Sequence, residues 1–258
     1  MQSIWQHSLL SLVLAQMLSL GLPAQTATPP PLLVELFTSE GCSSCPPADA
    51  LLREINGTRT SSGQLIVGIS EHVTYWNSLG WADPFSASVF TERQNAYGNK
   101  FGLDSVYTPQ MVVNGAQQVV GSDRNGLARI FKKELDQPIQ LQVHILSAKI
   151  VGNAVLVRFS TTAEAPNPKG DIVAVLADDT ARSSVARGEN SGRNLTHVAV
   201  ARSITRVSMA KSTGEQEVRI PLPSSFRDSE QHHVILFAQA PAHGRVLGVD
   251  SASLARLD

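Results

Sequence analysis

The chain has 258 residues, 21 Lys plus Arg against 22 Asp plus Glu, and a formal net charge of −1. Basic residues scattered along a near-neutral chain exclude the electrostatic footprint of a nucleic-acid binder. Only two cysteines exclude a small disulfide scaffold, while an apolar share of 42% supports an ordinary core in one large domain or two modest ones.

The first element is an apolar run from Leu9 to Leu22 that ends in small residues around Ala24 and Ala27. It is too short to span a bilayer and reads as a signal peptide over 1–27, although its start carries His7 and no Lys or Arg. An uncleaved anchor is the alternative. A stiff Thr28-Pro29-Pro30-Pro31 linker follows. No later apolar stretch is long enough to cross a membrane, so the expected mature chain is exported and free of the bilayer. Export permits disulfides.

Leu32 to Phe37 is a continuous apolar run, as expected for a strand covered on both faces. Pro46 to Ile55 reads as a helix: two prolines suit the first turn, Ala48, Leu51, Leu52 and Ile55 repeat at helical spacing, and Asn56-Gly57 is a stop. Leu65 to Ile69 is a second buried strand. A stretch rich in Tyr75, Trp76 and Trp81 precedes a helix over 86–101. Met111 to Val113 and Gln118 to Val120 flank Asn114-Gly115, the pair favoured in a two-residue hairpin turn. Asp123 to Leu135 is an amphipathic helix. Near Pro138 the pattern changes: 139–150, 154–160, 172–177, 198–209, 216–220 and 234–240 read as strands, without a convincing helix, and predict a small antiparallel sandwich.

Between the first strand and helix lies Gly41-Cys42-Ser43-Ser44-Cys45-Pro46-Pro47. A helix N-terminus offers unpaired N–H groups and partial positive charge, which stabilise a thiolate at Cys42. Cys45 is placed to resolve a mixed disulfide. Two other readings stay open. One is a structural disulfide in a non-catalytic binding module; the other is a metal carrier that uses Cys42, Cys45 and His72, with soft thiolates favouring Cu(I). A four-ligand zinc site is not foreseen, because there is no second cysteine pair and no histidine pair of finger spacing. No cofactor is expected, since the chain lacks a Gly-rich phosphate loop.

His72 falls just past the second strand, on the edge where an open α/β sheet builds its sites. There it could lower the Cys42 pKa as a cation or take a proton when neutral; a polar cap on an exposed loop is the plainer reading. Trp76, Tyr75 and Trp81 could form an apolar lip for peptide substrates or the core of their own segment. Gly188-Glu189-Asn190-Ser191-Gly192-Arg193-Asn194 is a polar, Gly-rich loop that could reach over the cysteines with Arg193 and His197, or could be a plain hairpin connection. Glu40 is expected to be exposed.

This order of strand, C-x-x-C, helix, strand, helix, Thr-Pro, hairpin and helix resembles thioredoxin. The resemblance implies an α/β thioredoxin-like domain over 32–137, followed by the small antiparallel all-β domain over 138–258. It also implies a cis bond at Thr108-Pro109, with Thr108 and Pro109 shaping a substrate groove, and a buried acid, Glu35, that manages the proton of the resolving cysteine. The chain departs from thioredoxin in its Ser43-Ser44 dipeptide, in the segment from Glu71 to Asp83, and in its β-rich second half. It is more closely similar to a bacterial family of exported thioredoxin-like proteins of unknown function. The shared stretches run from Val34 to Asp49, and include His72-Val73 with Trp76, Trp81 with Asp83-Pro84, Tyr107 to Gln110, and Gly188 to Asn190 with Gly192-Arg193 and Leu195 to His197. The expected function is a periplasmic or secreted thiol–disulfide oxidoreductase that acts on protein thiols or disulfides with an unidentified redox partner.

Overall fold

The computed structural model describes residues 29–227 and 229–254. The expected signal peptide lies outside the described residues. In chain order the elements are β1 (Leu32–Thr38), α1 (Pro46–Ile55), β2 (Ile66–His72), α2 (Ser88–Phe101), β3 (Gln110–Val113), β4 (Gln117–Val120) and α3 (Arg124–Glu134). Seven strands follow: β5 (Leu141–Val151), β6 (Ala154–Ala163), β7 (Asp171–Ser184), β8 (Asn194–Ser208), β9 (Gly214–Pro221), β10 (His232–Gln239) and β11 (Val246–Ser253).

Local chemistry explains the boundaries. Pro46 and Pro47 open α1 behind Cys45, and the Asn56 N–H closes it on the Leu52 carbonyl. Asp123 caps α3 by accepting from the Gly126 N–H at 2.9 Å. Asn114 and Gly115 hold left-handed φ angles of 48° and 58°, as a hairpin turn that matches strand twist requires.

The expectation of an α/β thioredoxin-like domain with a separate small sandwich is overturned by the sheet topology. The described chain is mostly β, with eleven strands and three α-helices. One mixed sheet of eight strands, in the order β11-β10-β7-β8-β2-β1-β3-β4, takes strands from both halves. The seam is a parallel contact of β2 with β8 at Ser70 and Val200. A second sheet, β5-β6-β9, stands apart.

The physical reason is that β7 and β10 are buried on both faces. Ile172, Ala174 and Leu176 pack with Val155, Val157 and Phe159 of the three-stranded sheet. Their alternate neighbours Val173 and Val175 pack with Leu33, Val67, Ile69 and Phe90 of the N-terminal half. A two-layer sandwich would leave that second face wet. Here it is covered by α2 and the start of the chain, so the two halves share a core. Among the described residues, no helix is long and apolar enough to cross a membrane.

Candidate functional site

β1 and β2 run parallel with Thr38 opposite His72, so both strands deliver their ends to one edge. The turn after β1 carries the cysteines. Cys42 and Cys45 form a disulfide with Cα atoms 5.4 Å apart, and Cys45 is the N-cap of α1. Both cysteines are 0% exposed, while Ser43 and Ser44 between them are exposed. The thiol partners lie just beneath the surface, with only the intervening dipeptide in solvent.

The Thr108–Pro109 peptide bond is cis. Pro109 is buried close to α1: a methyl group built on Gly121 would lie 3.0 Å from both Ala48 Cβ and Pro109 Cβ. Trp76 links this segment to the cysteine turn. Its indole N–H donates to Thr108 Oγ1 at 2.7 Å, and its Cβ approaches Gly41 so closely that a side chain there would sit 3.0 Å away. Trp76, Thr108 and Pro109 are therefore brought together around the first turn of α1. Tyr75 is 38% exposed and its hydroxyl donates to Gln94 Oε1.

Glu35 is placed elsewhere. Strand residues alternate faces: Val34 and Leu36 pack with α1, while Glu35 points to the α2 side. There it accepts from Arg93 Nε and, at 2.6 Å, from the Tyr97 hydroxyl. Arg93 also donates to Gln239 Oε1. Glu35 thus belongs to a buried ion-pair network that joins β1, α2 and β10, and is not beside the resolving cysteine. Glu71 lies near the same Arg93, at 3.5 Å. Burial, then the neighbouring Glu35 carboxylate, push Glu71 well above the usual carboxylate range.

His72 is fully buried, not a polar cap on an exposed loop. Its Nδ1 is 2.7 Å from Asp83 Oδ2, and its Nε2 is buried without a hydrogen-bond partner. Burial would raise the Asp83 carboxyl, but attraction to His72 and hydrogen bonds from His72 and the N–H groups of Glu40 and Phe85 hold it below its ordinary value. Glu40 is also buried, correcting its expected exposure: it accepts from Trp81 Nε1 at 2.8 Å and from Ser183 Oγ.

The polar loop 185–193, between β7 and β8, does lie over the cysteine turn, but through residues other than Arg193. Asn190 is 0% exposed and its Nδ2 donates to the carbonyls of Glu40 at 2.8 Å and Cys42 at 2.9 Å. Glu189 accepts from the Ser43 N–H at 3.0 Å, and the Ser43 hydroxyl, then this N–H, hold its carboxyl below the usual range. The Arg193 side chain is exposed; its backbone closes the loop through the Val185 N–H. His197, in β8, is 1% exposed and lies between Glu40 and Asp49.

Cys42, Cys45 and His72 do not form a three-ligand set. Among the described residues the trio whose donor atoms converge within 4.8 Å is Asp178, Glu230 and His232, beyond the cysteine turn.

Neither Asn190, which holds the loop down, nor Asp49, which faces His197, is marked for that part by its neighbours in sequence. A polar residue inside a Gly-rich loop signals neither. Asp49 did carry a faint signal, as a lone acid among the apolar positions of α1.

Similar proteins bear on the fold. A crystal structure of protein AGR_C_4864 from Agrobacterium tumefaciens is 30% identical, with a TM-score of 0.62 over 88% of this chain and 96% of that one. HBP35 of Porphyromonas gingivalis is 14% identical, with a TM-score of 0.64 over 88% of this chain and 76% of that one, a likeness of fold alone. Among curated proteins there is no match to this chain. The family model described as protein of unknown function (DUF1223) matches residues 33–239, and the chain belongs to that family.

Proposed function

We propose that this protein is an exported thiol–disulfide oxidoreductase, periplasmic or secreted, that acts on protein thiols through Cys42 and Cys45. The observation that carries the reading is the position of the disulfide. It sits at the amino end of α1, with Trp76 against Gly41 of the same turn and the cis Thr108–Pro109 segment close to Ala48 in the first turn of the helix. A helix amino end favours the thiolate that such exchange needs.

A substrate thiolate attacks Cys42 Sγ; the Cys42–Cys45 bond breaks and its electron pair leaves on Cys45. The second substrate thiolate attacks the substrate sulfur of the mixed disulfide, and Cys42 leaves as a thiolate. The substrate ends as a disulfide and the protein as a dithiol, with the substrate's two protons passing to the departing sulfurs or to solvent. The reverse sequence reduces a substrate disulfide. His72 is oriented by Asp83 and keeps Nε2 unpartnered at the same sheet edge. Glu35 has no part in these steps. Both cysteines are 0% exposed and loop 185–193 is bonded to the backbone of their turn, so movement of this loop is the proposed route by which a substrate reaches the sulfurs.

A second reading rests on the same cover: a disulfide with 0% exposed cysteines also suits a structural staple in a binding module. The reduction potential separates the two. Alkylation mass shifts in defined glutathione buffers should place the pair between roughly −120 and −270 mV for a redox catalyst. A value below about −300 mV would assign the staple instead.

A further inference from the structure

His197, in the β-rich half, is a buried titratable group that the steps above do not use. His197 Nε2 is hydrogen-bonded to Glu40 Oε1 at 3.3 Å, and His197 Nδ1 approaches Asp49 Oδ1 at an ion-pair distance of 3.5 Å, with neither of these last two atoms in a hydrogen bond. The imidazole is 1% exposed and the two carboxylates are at most 6% exposed. A neutral imidazole carries one N–H and would turn a lone pair toward one of these acids. Only the doubly protonated ring faces both with a proton.

We infer that His197 is a positioning residue of the thiol site: a buried imidazolium, held between Glu40 and Asp49, that favours the Cys42 thiolate. The inference rests on the proposed thiol–disulfide reading. Glu40 stands two residues before Cys42. The Asp49 N–H bonds the Cys45 carbonyl at 3.1 Å, one helical turn on. The cysteine motif is therefore bracketed by two buried carboxylates, and each alone raises a nearby thiol's pKa. His197 is the cation that answers them. The other charged or titratable groups around it are His72, whose ring meets His197 edge to face at 4.7 Å, Asp83 behind His72, and Arg53, whose guanidinium donates to the Thr196 carbonyl. Burial works against the charged ring, but the close approach and charge of Asp49 and the hydrogen bond and charge of Glu40 outweigh it and push His197 up to about 9.

A counter-ion for a strand–helix turn need not come from a neighbouring residue. Here β8 brings it from the other half of the shared sheet.

The test uses the full chain reduced by a phosphine, with the Cys42 thiolate titrated by its alkylation rate against pH. His197→Gln removes the cation and leaves two carboxylates, so the thiolate pKa rises by about one unit and alkylation slows about tenfold below it. The reduction potential then falls by about 30 mV, the equivalent of that tenfold change. Asp49→Asn removes a carboxylate and shifts the thiolate pKa the other way. An unchanged titration in either folded variant overturns the inference. The ring nitrogen chemical shifts of His197 in the unmodified protein are a third readout that needs no variant: an imidazolium at pH 7 is expected, and a neutral ring overturns it. A staple-like potential in the unmodified protein would sink the oxidoreductase reading, yet the thiolate titration of the reduced chain would still decide the role of His197.

Discussion

Replacement of Asn190 by Ala tests whether loop 185–193 controls access to the disulfide. The side chain is fully buried and makes two hydrogen bonds, to the carbonyls of Glu40 and Cys42. Each is worth about 1 kcal/mol net. Asn190 Oδ1 has no partner, so Ala also removes a buried unsatisfied acceptor, which makes about 2 kcal/mol the upper end of the loss. That free energy applies to loop closure, and 2 kcal/mol is about a 30-fold change in the closed-to-open ratio. If exchange proceeds from the open loop, reduction of the Cys42–Cys45 bond by dithiothreitol speeds up by up to ~30-fold. The assay is quenched reduction followed by alkylation and mass measurement. A rate within about twofold of the unmodified protein would refute the reasoning, because the loop would then not limit access to the sulfurs.

Three further outcomes are expected. Arg93→Met leaves the buried Glu35 carboxylate without its cation and should lower the urea unfolding free energy by about 3–5 kcal/mol, while leaving the dithiothreitol rate unchanged; a fast-reducing Arg93→Met would mean that reduction goes through global unfolding. His197 has a folded pKa of about 9 against an ordinary 6.5, so its stabilisation is complete below about pH 6.5 and is lost as pH rises through about 9; the urea midpoint should fall across that window, and His197→Gln should flatten it. Burial and the Glu35 carboxylate hold the Glu71 carboxyl well above its ordinary range in the folded state, so the folded chain keeps this proton to higher pH than the unfolded chain and loses stability as pH rises. Glu71→Gln should therefore gain on the unmodified protein as pH rises from about 4.5, and parallel urea profiles for the two would refute the assignment.

Local features were legible because they are set by neighbouring residues. The strand before Cys42, the prolines of α1, the Asn114-Gly115 turn and the Asp123 cap all follow from sequence within a few positions. The alternation along Val34, Glu35, Leu36 and Phe37 even held the face of Glu35. Once Ala48 and Leu52 of α1 are seen to cover Val34 and Leu36, Glu35 must face the other way. β11 was missed, because Val246, Leu247 and Val249 are interrupted by Gly248 and look too weak alone; its pairing with β10 makes it a strand.

The sequence by itself determined the cysteine motif, its place at a helix start, and most of the strands, since periodicity and caps are short-range. Tertiary structure alone decided that the two halves share one sheet, through the Ser70–Val200 contact. It alone decided which distant groups meet the cysteines. Asn190 is 148 positions from Cys42 and His197 is 157 from Glu40. No local pattern encodes such a meeting, because it depends on both faces of β7 and β10 being buried, and so on how the whole chain closes around its core.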